Sequence, residues 1–186
     1  MEHSTATSTN EDDLEPSNGS GFSRRNVHEL SHQWFGNLVT PENFNHLWLN
    51  EGFATYCEAL ERENRFGFGS YSAYIVSLEN RSINNSTPIV NPNADLFQTS
   101  LVYRKGALVL HMLRGVMGED DFFQAVRNYL NNNAYGIVDT EIFEQEMEAV
   151  YGDQLDWFFD QWVYNAGAPV YEYSWQQNGN TLILGI

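Results

Sequence analysis

A mainly α-helical chain that turns to β-structure near its end is predicted by three observations. Apolar residues recur at helical spacing through most of the 186 residues. Glycines and acidic residues interrupt those stripes where helices stop and start. A strictly alternating segment begins only after Gly167-Ala168-Pro169.

Residues 1 to about 22 are rich in Ser, Thr, Asn, Asp and Glu with almost no apolar anchor. Such a composition cannot offset its ordering entropy, so residues 1–22 read as a disordered tail. The first helix is expected from about Arg24 to about Gly36. A loop containing Pro41-Glu42-Asn43 then returns to a second helix from about Leu49 to Phe66, closed by Gly67 and Gly69. The third helix runs from Ser70 to about Asn84 with Tyr71, Tyr74, Ile75 and Leu78 on one face, and residues 85–92 form a loop. Tyr103 falls near the start of the next helix, which reaches about Met117 with Gly118 as its stop. Three more follow, about Asp120 to Asn131, Asp139 to Tyr151 and Asp153 to Asn165, each with the acidic start that suits a helix N-terminus. Trp157, Phe158, Phe159, Trp162 and Tyr164 make the last of them very aromatic, which reads as a face docked on the core. Residues 170–175 alternate like a strand, Asn178-Gly179 is a hairpin signal, and residues 181–184 begin a return strand. Two strands are marginal alone, so residues 167–186 read as the first strands of a β domain whose remainder lies in a longer protein.

Nine basic residues against 25 acidic ones leave a formal net charge of −16. That argues against nucleic acid or an anionic membrane as partner, since both need a cationic face. The acid clusters Glu11-Asp12-Asp13 and Glu119-Asp120-Asp121 read as tail and helix-start charges rather than metal sites. No run of about 18 apolar residues occurs, and residues 1–21 lack the apolar centre of a signal peptide, so no membrane-spanning or secretory segment is expected and the compartment stays open. Cys57 is the only cysteine, which excludes an intrachain disulfide; on a mostly apolar helix it reads as core packing.

The chemistry is carried by His28-Glu29-Leu30-Ser31-His32, followed after an 18-residue gap by Glu51. Residues at i and i+4 lie about 40° apart around a helix, so His28 and His32 project from one face and can share one ion. Zinc accepts imidazole nitrogen and carboxylate oxygen, and a hydrolytic site leaves its fourth position to water, which makes Glu51 the natural third ligand. Glu29 lies about 100° round the helix from His28, badly placed to chelate but within reach of an acidified water, and its expected role is general base. A chance HExxH with a glutamate at one fixed later offset is an event of order one in a thousand, which outweighs the reading of two histidines merely sharing a buried face.

The flanking residues read VHELSHQWFGNLVTPENFNHLWLNEGFATY from Val27 to Tyr56. Trp34 to Asn37, Val39-Thr40 and Leu47 to Gly52 stand where the zinc aminopeptidases of the membrane alanyl aminopeptidase family carry WxGN, VT and LWLNEG, and the chain closely resembles that family. Tyr103-Arg104-Lys105-Gly106 is similar to the family's Tyr-x-Lys-Gly segment, whose tyrosine hydroxyl stabilises the tetrahedral intermediate. The resemblance therefore implies Tyr103 as oxyanion donor, peptide substrates, one zinc ion per chain, and a thermolysin-like helical catalytic region, here residues 23–166, followed by further domains. The family's Gly-Ala-Met-Glu-Asn segment, whose glutamate holds the substrate's free amino group, has no counterpart before His28 in this sequence. Release of N-terminal residues is thus implied by resemblance. A zinc hydrolase of other specificity, or a zinc-binding but inactive fragment of a longer aminopeptidase, are the alternatives.

Two further positions belong to the expected site. Glu58 lies seven residues after Glu51, about 20° off the same helix face, where a carboxylate can accept the second N–H of a ligating histidine; a solvent-exposed helix acid is the alternative. Asn50 can orient Glu51 by a hydrogen bond or serve as helix N-cap. His46 and His111 have no partner at chelating spacing and read as hydrogen-bonded loop or core histidines.

Overall fold

The computed structural model describes residues 23–79, 87–90, 100–167 and 172–185, so the tail expected over residues 1–22 lies outside the described residues. Seven α-helices and two small pairs of strands make up these segments, and the mainly α architecture is the one the sequence predicts.

Helix α1 spans Arg24–Ser31, opened by the Ser23 side chain accepting the Asn26 N–H. It stops five residues short of the expected end at Gly36. The backbone tightens there: Gln33 and Trp34 donate to Leu30 and Ser31, three residues back, and Gly36 adopts φ 134°. That left-handed backbone leaves the helix at low cost only in glycine.

The chain next forms strand β1, Val39–Pro41, which pairs in parallel with β2, Gly136–Val138, in the register Val39 to Gly136. Three-residue strands carry too little alternation to be read from sequence, and this pairing was not anticipated. A short 3-10 turn at Phe44–His46 leads into α2, Trp48–Phe66, whose residues from Trp48 to Tyr56 are all buried. Phe53 stacks on Phe35 at 4.0 Å, and the Trp48 indole donates to the Thr140 hydroxyl at 3.0 Å, so α2 is the central rod.

Helix α3 covers Phe68–Glu79 and buries Tyr71, Tyr74, Ile75 and Leu78, the face its periodicity predicts; the expected continuation to Asn84 lies outside the described residues. A wide π-type turn, Ser100–Lys105, runs into α4, Gly106–Met117, and Gly118 at φ 85° separates it from α5, Glu119–Asn132. Helix α6, Thr140–Tyr151, is capped by Asp139 and ends at left-handed Gly152. The last expected helix is broken up. Asp153 to Leu155 are not helical, α7 covers only Asp156–Phe159, and a π-type turn follows at Asp160–Tyr164. Its aromatics divide accordingly: Phe158 and Phe159 enter the core while Trp157 is 54% exposed, so the docking face is narrower than expected.

Strands β3, Ser174–Asn178, and β4, Thr181–Gly185, form the expected hairpin about Asn178-Gly179, with Gly179 at φ 59°. The first strand starts at Ser174 rather than 170; residues 168–171 are not described. Every described hairpin residue is exposed, in contrast to the helical core around α2 and α4.

Candidate metal centre

Two neighbouring ends of helices build the site. His28 and His32 stand at the last turn of α1, and Glu51 stands in the first turn of α2. Their side chains are 12%, 3% and 11% exposed, respectively. His28 Nε2 lies 3.0 Å and His32 Nε2 3.4 Å from the same oxygen, Glu51 Oε2. The spacing argument is met in space, since one ligand atom from each of the three falls within 4.8 Å of the others.

The far side of each ring is also held. His28 Nδ1 donates to Glu58 Oε1 at 2.9 Å, and His32 Nδ1 donates to the Phe35 carbonyl at 3.0 Å. Both partners are acceptors only, so both Nδ1 atoms carry protons and both Nε2 lone pairs face the Glu51 carboxylate. Two lone pairs and an anionic oxygen converging in a nearly dry space repel one another unless a cation lies between them. Two neutral imidazoles and one carboxylate are a donor set that fits zinc.

Without a metal, a proton takes that place. Burial alone lowers the His28 pKa, but the hydrogen bonds to Glu51 and Glu58 outweigh it and raise the group to about 9. Burial likewise disfavours the Glu51 anion, and the bonds from His28 and His32 overcome this, holding its carboxyl at about 2. The pair is therefore imidazolium and carboxylate at neutral pH.

Glu58 is not the exposed acid of the alternative reading. It is 5% exposed, also accepts the Tyr74 hydroxyl, and forms an ion pair with the Arg24 guanidinium at 3.5 Å. Glu29 and Tyr103 line a cavity of about 260 Å³ together with His28 and Glu58. The Tyr103 ring lies parallel to His28, with centroids 5.9 Å apart. Asn50 is buried beside Glu51 in the chain but lines a different cavity with Thr40 and Leu47, and since Leu47 precedes α2, the N-cap reading of Asn50 is overturned.

His46 lies against the Thr140 hydroxyl and backbone N–H at 3.0 and 3.2 Å, and His111 against the Tyr71 hydroxyl at 2.7 Å, both as hydrogen-bonded histidines away from the metal centre. Cys57 packs against the core, where burial pushes its thiol up to about 11. Sequence reasoning missed Tyr74, Arg24 and the Phe35 carbonyl. Tyr74 was visible as a core position of α3, but nothing in its spacing announced where its hydroxyl would point.

The pattern of the Peptidase family M1 domain matches residues 18–162. Aminopeptidase M1 of Arabidopsis thaliana is 36% identical over 156 residues, covering 77% of this chain and 18% of that protein. Leucyl aminopeptidase of Saccharolobus solfataricus is 32% identical over 155 residues, covering 77% and 20%. Among solved structures, the M1 zinc metallopeptidase from Deinococcus radiodurans superposes with a TM-score of 0.72 at 30% identity, covering 82% of this chain and 35% of that one. Native leukotriene A4 hydrolase from Saccharomyces cerevisiae does so with 0.70 at 26% identity, covering 86% and 28%. The chain thus spans only 18% to 20% of the curated relatives named here.

Proposed function

This chain belongs to peptidase family M1, and on that premise we propose that it supplies the catalytic region of a zinc aminopeptidase, with His28, His32 and Glu51 as the metal ligands. The observation that carries the proposal is the convergence of both Nε2 atoms on Glu51 Oε2 while both Nδ1 atoms are held from behind. We assign residues 23–166 to that region and 167–186 to the first strands of the domain that follows; the exposed hairpin and the small share of each relative that the chain covers support this division.

When bound, zinc makes water a nucleophile near neutral pH and polarises the scissile carbonyl. The residues of the chain do the rest. Glu29, on the cavity wall beside His28, accepts the proton of the attacking water and returns it to the leaving amine. Tyr103, stacked along His28, offers its hydroxyl to the oxygen on which negative charge develops. Glu58 keeps the His28 proton on Nδ1 and thereby keeps Nε2 free to ligate. Asn50 directly precedes Glu51 in the first turn of α2, and orienting that carboxylate is its proposed role.

The substrates are peptides with a free amino terminus, a reading supported by the relatives named aminopeptidases. The test measures zinc content and hydrolysis of a free-amino peptide and its N-acetylated form, for the wild type and Glu29→Gln. One zinc per chain, turnover of the free-amino peptide alone, and a loss of about 10²- to 10⁴-fold in the variant are expected. Equal cleavage of both peptides would instead identify a zinc hydrolase of other specificity. Bound zinc with no difference in turnover would reduce the chain to a metal-binding fragment.

A further inference from the structure

The cavity beside His28 carries more positive charge than the chain as a whole would suggest. Arg24, Arg25 and Arg104, three of the nine basic residues, line it together with Glu29 and Tyr103. One helix and one turn supply them: Arg24 and Arg25 open α1, and Arg104 follows Tyr103 in the π-type turn Ser100–Lys105. A chain of net charge −16 repels anions overall, so this wall is a local exception.

These cations are not equivalent. Arg24 pairs with Glu58 at 3.5 Å, and that carboxylate is already engaged with His28 and Tyr74. The Arg104 guanidinium has no ion pair or hydrogen bond among the described residues, although Glu29 and Glu58 share its cavity. Its position is nevertheless fixed: Leu101, Val102 and Lys105 of the same turn are buried, while Arg104 is half-buried. A guanidinium presents a planar fork of N–H donors that matches the two oxygens of a carboxylate. In a wall that already holds two other arginines, an unpaired fork is placed for an anion that arrives from outside.

Resting on the aminopeptidase reading above, we infer that Arg104 holds a carboxylate of the peptide substrate and makes the site selective for acidic over neutral peptides of equal size. Tyr103, the proposed oxyanion donor, lines the same cavity. The carboxylate therefore belongs to a side chain beside the scissile bond or to the C-terminus of a short peptide. Arg104 acts on substrate choice, and the proton transfers stay with Glu29.

Peptide binding by the zinc-loaded full chain carrying Glu29→Gln, which binds without turnover, tests this apart from catalysis. The probes are tripeptide amides with glutamate or glutamine at the first or second residue, and a neutral tripeptide as free acid and as amide. In at least one of these pairs the carboxylate form should bind about tenfold tighter or more, and the pair concerned identifies the source as side chain or C-terminus. Adding Arg104→Gln should abolish that ratio, Arg104→Lys should restore part of it, and salt should shrink it. Ratios taken within each protein cancel any general loss of binding. Equal binding within every pair, or a carboxylate preference that survives Arg104→Gln, would overturn the inference. With Glu29 restored, the same preference is expected in kcat/KM, carried by KM. Turnover of neutral peptides without carboxylate preference would remove the role of Arg104 and leave the aminopeptidase reading standing. Carboxylate binding that depends on Arg104, with no turnover of any peptide, would keep the binding site and remove that reading.

Discussion

Glu58 touches nothing that reacts, yet it accepts from the His28 ring and the Tyr74 hydroxyl and pairs with the Arg24 guanidinium at once. Two donors and one cation from two other helices immobilise its carboxylate, and through it the ring that carries one proposed zinc ligand. Glu58→Gln keeps an acceptor for His28 but removes the anion, so zinc affinity is expected to fall about 10- to 100-fold with the fold intact. Chelator competition measures it; an unchanged affinity would show that His28 is oriented without this charge. The role of Glu58 was legible as helix spacing from Glu51. Tyr74, Arg24 and the Phe35 carbonyl were not, because each meets the site across a turn or from another element, at no fixed sequence interval.

At the scale of elements, one close approach positions the Tyr103 segment against the zinc-binding helices. A Cβ on Gly52 would stand 3.0 Å from the Gly106 carbonyl carbon, and a Cβ on Gly106 would stand 3.0 Å from the Gly52 Cα. Gly52 directly follows Glu51, and Gly106 starts α4 directly after the π-type turn that bears Tyr103. Backbone contact at these two glycines is what brings the tyrosine ring alongside His28. Gly106→Ala must push α4 from α2, and overpacking of this kind costs about 1–3 kcal/mol, against less than about 1 kcal/mol regained in helix propensity. A lower urea midpoint together with reduced turnover is the expected outcome; a midpoint at or above that of the wild type would show that the helices can part freely. Both glycines were visible in their motifs, but their mutual contact joins positions 52 and 106 and had no local signature.

For the whole molecule, the coupling of His28 to Glu51 makes metal uptake a pH-dependent event. The His28 proton, held up to about 9 in the metal-free protein, must leave before its Nε2 can ligate, while Glu51, held down at about 2, stays ionised throughout. Zinc binding therefore releases one proton below pH 9. The half-saturating free zinc concentration should rise about tenfold for each pH unit of descent from there. Zinc-buffered titrations between pH 6 and 9 measure the slope, and a flat profile would contradict the assignment of His28 as ligand.

The chain by itself determined the features of short reach. Helical spacing set His28 and His32 on one face, periodic apolar residues marked α2 to α6, and Gly67, Gly118 and Asn178-Gly179 marked stops and the hairpin turn. Tertiary structure alone decided that α1 ends at Ser31, that the last helix breaks around Asp153 to Leu155, that β1 pairs with β2, and which acceptors stand behind the two histidines. The β1–β2 pairing and the Glu58 carboxylate behind His28 rest on contacts between segments tens of residues apart, while the end of α1, the Phe35 carbonyl behind His32 and the break before α7 rest on turn geometry; in each, the packed fold outweighs the local preferences from which a sequence is read.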